Sequence, residues 1–170
     1  PLAPALPVLE LQAAAMIAYL GQKDGGLDKL KGKKIAYLYH DSAYGKEAIP
    51  VFEAPAGKLG FELMKIPVTP HGNTQESQWL QIRQAKPDYV IMWTYGVMST
   101  VALKTAAKTG YPRDKLPGVW WSGSEEDVIP ASAAAKGYGG ASCPASAPTF
   151  HALSYNNTPV YGSKKAQPPP

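Results

Sequence analysis

Four apolar runs set the terms for this chain: IAYLYH (35–40), FELMKIPV (61–68), YVIMWTY (89–95) and GVWWSG (118–123). Strands that are apolar on both faces belong inside a parallel sheet, because only there are both faces covered. FELMKIPV instead alternates apolar and polar, as a strand with one covered face does. The intervening segments carry helical spacing, so the pattern predicts a parallel sheet with helices on both faces, joined by right-handed crossovers. A helix is expected over 11–20, stopped by Gly25-Gly26, and a second over 46–59, closed by Gly60, with Ile49, Phe52 and Leu59 inward. Pro55 lies within that second helix, where a lost N–H and a ring clash cost ~3 kcal/mol. A third helix, with Trp79, Leu80 and Ile82, starts from Thr74 or Ser77 as N-cap and runs to about Lys86. Further helices are expected over 97–109 and 125–135, the latter opening on Glu125-Glu126-Asp127, which suits a helix N-terminus. The segment Gly137–Ser142 offers a fifth strand.

Composition narrows the class. Proline makes up 17 of 170 residues, about twice the usual ~5%. It crowds the two ends, at Pro1, Pro4 and Pro7 and at Pro144, Pro148, Pro159 and Pro168–Pro170. Overall, 45% hydrophobic and 18% charged residues exclude wholesale disorder and a fibrous repeat. No apolar run approaches the ~18 residues a membrane span needs, and no basic segment leads into an apolar one as in a signal peptide. The lone Cys143 excludes an intramolecular disulfide and a cysteine-based zinc site. The net charge of +4 rests on dispersed lysines, with Arg83 and Arg113 the only arginines, so nucleic acid is not an expected partner.

Ligands of such sheets bind beyond the carboxyl ends of the strands, which selects the loops Asp41–Gly45, Tyr95–Ser99 and Ser122–Asp127. His40-Asp41-Ser42 holds the residue types of a hydrolytic triad, but consecutive residues diverge and cannot align as nucleophile, base and orienter. There is no G-x-S-x-G elbow either. Gly45-Lys46 lacks the earlier glycine and the Ser/Thr of a phosphate loop, and no G-x-G-x-x-G is present. Glu125, Glu126 and Asp127 read as helix-start caps rather than metal ligands, since His40, His71 and His151 do not flank them at ligand spacing. The aromatics are more informative. Tyr44, Trp93, Tyr95, Trp120 and Trp121 all fall near strand carboxyl ends, with Trp93 and Tyr95 on one face. Two readings stand: Trp93 and one of Trp120/Trp121 pack under helices, or the rings wall a small-molecule pocket with Asp41, Ser42 and Glu125 as polar anchors. Asn156-Asn157-Thr158 matches a glycosylation sequon.

Three longer stretches resemble one family. They are KGKKIAYLYHDSAYGKEAIPVFEA (31–54), PVTPHGNTQESQWLQIRQAKPDYVIMW (67–93) and LKTAAKTGYPRDKLPGVWWSGSEEDVIPA (103–131). A strand leading into D-x-x-YG, a G-N-T…A-K-P-D stretch before an apolar strand, and an A…G-Y loop together resemble the periplasmic solute-binding proteins of branched-chain amino acid (Leu/Ile/Val-type) ABC transporters. The W-S-G-x-E-E-D variant looks like a subgroup for branched-chain amino acids, amides or aromatic acids. The resemblance implies a Rossmann-like lobe of a two-lobed Venus-flytrap protein, non-enzymatic and without cofactor or metal. On that basis residues 12–140 form the second lobe, 1–11 a proline-rich crossing flank, and 141–170 a segment leading toward a first lobe not contained in this chain. It implies ligand contacts at Tyr44 and Tyr95, and at an acidic position for which Glu125 is the candidate, with Ser122 or Ser124 as alternatives. Ser42, Trp93 and Trp121 complete the candidate set. The implied partners are a small-molecule ligand and an inner-membrane permease. The implied location is the periplasm, or the outer face of a Gram-positive membrane through a lipid anchor. A ligand-sensing regulatory domain of the same fold and a small flavodoxin-like α/β enzyme are the competing readings.

Overall fold

The computed structural model describes residues 8–140. Cys143, the 156–158 sequon and the expected crossing segment 141–170 lie outside the described residues, as do residues 1–7 of the N-terminal flank. Among the described residues, five strands and six α-helices follow one another: α1 Val8–Asp24, β1 Lys34–His40, α2 Ala43–Glu47, α3 Ile49–Leu59, β2 Glu62–Val68, α4 Glu76–Ala85, β3 Tyr89–Trp93, α5 Val97–Lys108, β4 Pro117–Gly118, α6 Glu125–Val128 and β5 Gly139–Gly140. The strands form one parallel sheet in the order β2-β1-β3-β4-β5. This is the α/β architecture expected from the apolar runs.

Strand alternation divides the interior into two layers. Ile35, Tyr37, Tyr39, Tyr89, Ile91 and Trp93 turn to one face, where Met16 and Leu20 of α1 and Phe52 of α3 pack. Ala36, Leu38, Val90 and Met92 turn to the other, against Trp79 and Ile82 of α4 and Ala102, Leu103 and Ala106 of α5. Strand order reverses direction between β1 and β3, so the crossovers leave in opposite senses there and open a crevice at the carboxyl ends of those two strands.

Four local departures from the expected pattern have physical causes. The 46–59 helix is two helices meeting at Ala48, and Pro50 occupies the first turn of α3, where its absent N–H costs nothing. Pro55 does not end α3; Phe52, fully buried on Tyr37, and the left-handed cap at Gly60 hold the helix on either side of it. Neither Thr74 nor Ser77 caps α4, which starts from Gln75. The Gln75 amide is buried instead, donating to the carbonyls of Gly72 (3.0 Å) and Met98 (2.8 Å) and accepting from the Trp79 indole (3.3 Å). GVWWSG is not a strand throughout: β4 ends at Gly118 and Trp121–Gly123 winds into a 3₁₀ turn. A Cβ at Gly118 would collide with the Tyr138 hydroxyl, so a glycine is needed where the chain turns. The 125–135 helix likewise stops at Val128, and a 3₁₀ segment Ile129–Ala135 continues it across a kink at Ser132 (φ 52°).

Candidate functional site

The crevice is built from the last residues of β1, β3 and β4. β1 ends at His40, and Asp41 N–H donates to Val68 O (2.9 Å), fastening the turn to β2. Gly45 then comes so close to His40 that a Cβ would strike its carbonyl oxygen, while Tyr37 Oη donates to Gly45 O (2.9 Å). This is the physical reason for glycine in the D-x-x-YG stretch: α2 is clamped onto the strand end. Tyr44 is thereby held over β3, with its ring 6.1 Å from Trp93 and edge-on to Tyr95 at 5.8 Å. Burial, with Tyr95 adding to it, pushes the Tyr44 phenol well above its ordinary pKa and keeps it neutral. Tyr44 Oη and Trp93 Nε1 are both buried and have no hydrogen-bond partner among the described residues.

His40 joins the first loop to the second. Its Nδ1 lies 2.8 Å from Ser42 Oγ and its Nε2 lies 3.2 Å from Tyr95 Oη, and the two rings stack at 4.9 Å. Asp41 turns away to an exposed ion pair with Lys46 (2.7 Å).

The second loop is fixed from below. Thr94 is buried, its Oγ1 2.9 Å from Ser99 Oγ. Gly96 adopts φ 62°, a left-handed conformation that favours glycine, and its N–H donates to Asp127 Oδ2 (2.7 Å). The Asp127 carboxylate thus sits at the N-terminus of α5, where the helix dipole favours a negative charge. Burial raises its pKa and outweighs the bonds from Gly96, Ser99 and Ser124 that act in the opposite direction. Asp127 caps α5 rather than the short helix that contains it.

The third loop is tied to the second by hydroxyls. Ser122 Oγ donates to Thr94 O (2.6 Å), with Met92 O a second acceptor at 3.1 Å, and it accepts Thr94 N–H (3.1 Å). Tyr138 Oη donates to Ser122 O (3.0 Å). Trp120 and Trp121 stack on each other at 5.1 Å and remain about half exposed, so neither packs under a helix.

The candidate residues are therefore placed unequally. Tyr44, Tyr95 and Ser42 converge with His40 on one crevice, and Trp93 lies beneath them, fully buried against Tyr37 and Phe52. Trp121 stands on the third loop with an open face. Ser122 is fully buried with its hydroxyl engaged within the sheet, and Glu125 opens α6 on the same loop. Sequence reasoning did not single out His40 as a link between loops, nor Asp127 as the cap of α5. Both roles depend on contacts between loops distant in the chain, which no local spacing displays. Among the described residues, no three of His, Cys, Asp and Glu gather as a metal-binding group. A second, shallow cleft of about 320 Å³ lies where α4 and α5 end, at the amino edge of the sheet, lined by Arg83, Lys86, Tyr111 and Lys115 among others.

A family model described as periplasmic binding protein matches residues 5–152. Among solved structures, an ABC transporter permease from the Pseudomonas fluorescens group is similar at 51% identity and TM-score 0.76, over 79% of this chain and 32% of that one. A branched-chain amino acid ABC transporter from Thermus thermophilus with bound valine aligns at 22% identity and TM-score 0.65, over 77% and 33%. A solute-binding protein from R. palustris in complex with benzoate aligns at 20% and TM-score 0.59, over 78% and 34%. These last two likenesses speak to the fold alone. The chain spans about a third of the length of these structures. No curated protein matches the sequence. A family model covering most of the chain, on a parallel sheet whose crevice opens at the β1/β3 switch, places this chain in the periplasmic binding protein family.

Proposed function

We propose that the chain forms one lobe of an extracytoplasmic solute-binding component of an ABC importer. In this reading it holds a small molecule between itself and a second lobe, and the closed form docks on a membrane permease. The observation that carries the reading is where apolar surface is left open. Of the eight large hydrophobic residues exposed among the described residues, four come just after β3 and β4: Tyr95, Val97 at the start of α5, Trp120 and Trp121. Exposed apolar residues gathered at one end of the sheet beside polar groups are the composition of a binding surface. The unpaired Tyr44 Oη, on a ring set edge-on to Tyr95, adds a cost that a polar group reaching it would remove.

Ligand contacts in this reading come from Tyr44, Tyr95 and Ser42 at the crevice, with Trp121 as a flat wall and the Ser122–Glu125 loop as the polar side. The resemblance to Leu/Ile/Val-type binders favours a small amino acid, amide or aromatic acid. Hinge closure would supply the remaining contacts and expel water, so affinity belongs to the two-lobed state. Calorimetric titration of this chain with valine, leucine, benzoate and a simple amide tests the idea. Binding no tighter than about 1 mM is expected for each. A micromolar constant for any of them would show a complete site in this lobe and overturn the half-site reading.

A further inference from the structure

His40 is the last residue of β1 and is 8% exposed, at the point where β1 and β3 diverge. A neutral imidazole offers one donor and one acceptor, and a hydroxyl can play either part, so both of its bonds can be made together in either tautomer. Those bonds reach two residues of different loops, Ser42 at 2.8 Å and Tyr95 at 3.2 Å. Tyr95 is otherwise 46% exposed, and its further ring contact is the edge of Tyr44. An exposed tyrosine on a loop samples several rotamers unless something holds it, and fixing such a side chain in advance lowers the entropy cost of binding. The Ser42–His40 pair is not a hydrolytic dyad with an orienting acid, because the second ring nitrogen faces a phenol and Asp41 is paired with Lys46.

We propose that His40 is the positioning residue that fixes Tyr95 relative to Ser42, joining the loops after β1 and β3 into one preformed contact surface. The proposal rests on the reading of this crevice as a solute site. Its two arms can be separated by substitution. Asparagine places an amide where Nδ1 stands and keeps the Ser42 arm; glutamine reaches the position of Nε2 and keeps the Tyr95 arm.

The experiment is NMR of the ring carbon signals of Tyr95 in the wild type, His40→Asn, His40→Gln and His40→Ala, with titration of valine and benzoate. Since the stacked imidazole is lost from all three variants, they are compared with one another. The Tyr95 signal in His40→Gln is expected to stand apart from a common position shared by His40→Asn and His40→Ala. A Tyr95 signal in His40→Gln coinciding with the other two would overturn the proposal. Should the His40 variants fail to fold, Tyr95→Phe changes only the partner; the His40 Nε2 resonance must then shift, and an unchanged one overturns the proposal equally. For whichever probe binds the wild type, affinity is expected to fall up to about tenfold in His40→Asn, the scale of one side chain losing its preorganisation. It should change little in His40→Gln, and equal losses in the two variants contradict the positioning role. If neither probe binds, the half-site reading stands, because its affinity belongs to the two-lobed state, and the Tyr95 signal alone decides the role of His40.

Discussion

β1 and β2 pair residue for residue over Lys34–His40 and Glu62–Val68, and β1 pairs β3 over Ile35–Tyr39, whereas β4 and β5 are two residues each. β4 joins β3 through the single register Met92–Gly118, and β5 joins β4 through two pairs. The first region is held by continuous backbone ladders and two apolar layers. The second is held by side chains reaching backbone: Ser122 onto Thr94, Tyr138 onto Ser122, Asp127 onto Gly96, and Thr100 Oγ1 onto Asp127 O (2.7 Å). A sheet can thus be extended past its regular strands by hydroxyl and carboxylate groups that take over the ladder's work. The candidate crevice lies at the border of the two regions, with His40 and Tyr44 from the first and Tyr95 and the Trp121 loop from the second.

The sharpest way to break this contrast is to remove mass from the laddered half. Trp93→Ala empties a fully buried site among Tyr37, Tyr44 and Phe52, and urea unfolding should show a loss of about 3–5 kcal/mol. Ser122→Ala probes the other half. It leaves the Thr94 N–H unpaired in the interior, and the expected loss is about 1–3 kcal/mol. Hydrogen exchange should then quicken at Thr94 and along β4 while the β1–β2 amides keep their protection; uniform loss across the sheet would erase the distinction.

Asp127 gives the contrast a pH dependence. Burial raises its pKa in the folded protein, so the folded state binds the proton more tightly than the unfolded chain does. The stability this contributes is fully present below the unfolded pKa and is lost as pH rises through the raised folded value. Relative to Asp127→Asn, the wild type should therefore lose stability with rising pH across that interval, as denaturation at a series of pH values would show. A flat difference would contradict the assignment. The smallest effect belongs to the open edge: Trp121→Ala removes a half-exposed ring and should leave stability within about 0.5 kcal/mol, while weakening any ligand response at the third loop.

The laddered half was legible in the sequence because β1 and β3 are buried on both faces and their helices carry apolar stripes. Phe52, Trp79, Ile82 and Leu103 all lie where spacing put them. The shortened β4 was not, because GVWWSG has strand composition, and only the approach of Tyr138 to Gly118 and the return of Ser122 to β3 turn it aside. The break at Ala48 was hidden similarly, since a proline in a first turn and one in an interior look alike until the turn is located. At the crevice, Tyr44, Ser42 and Tyr95 could be picked from strand-end position. The roles of His40 and Asp127 could not, because each bonds a residue on a different loop.

Residue-resolved amide NMR during titration with valine and benzoate tests the central claim, that the carboxyl edge of β1, β3 and β4 is the ligand face of a half-site. The account predicts weak, fast-exchanging shifts gathered on residues 41–45, 94–99 and 120–127, with the amino edge of the sheet silent. Shifts gathered instead around Arg83, Lys86 and Lys115, or saturation at micromolar ligand, would contradict it.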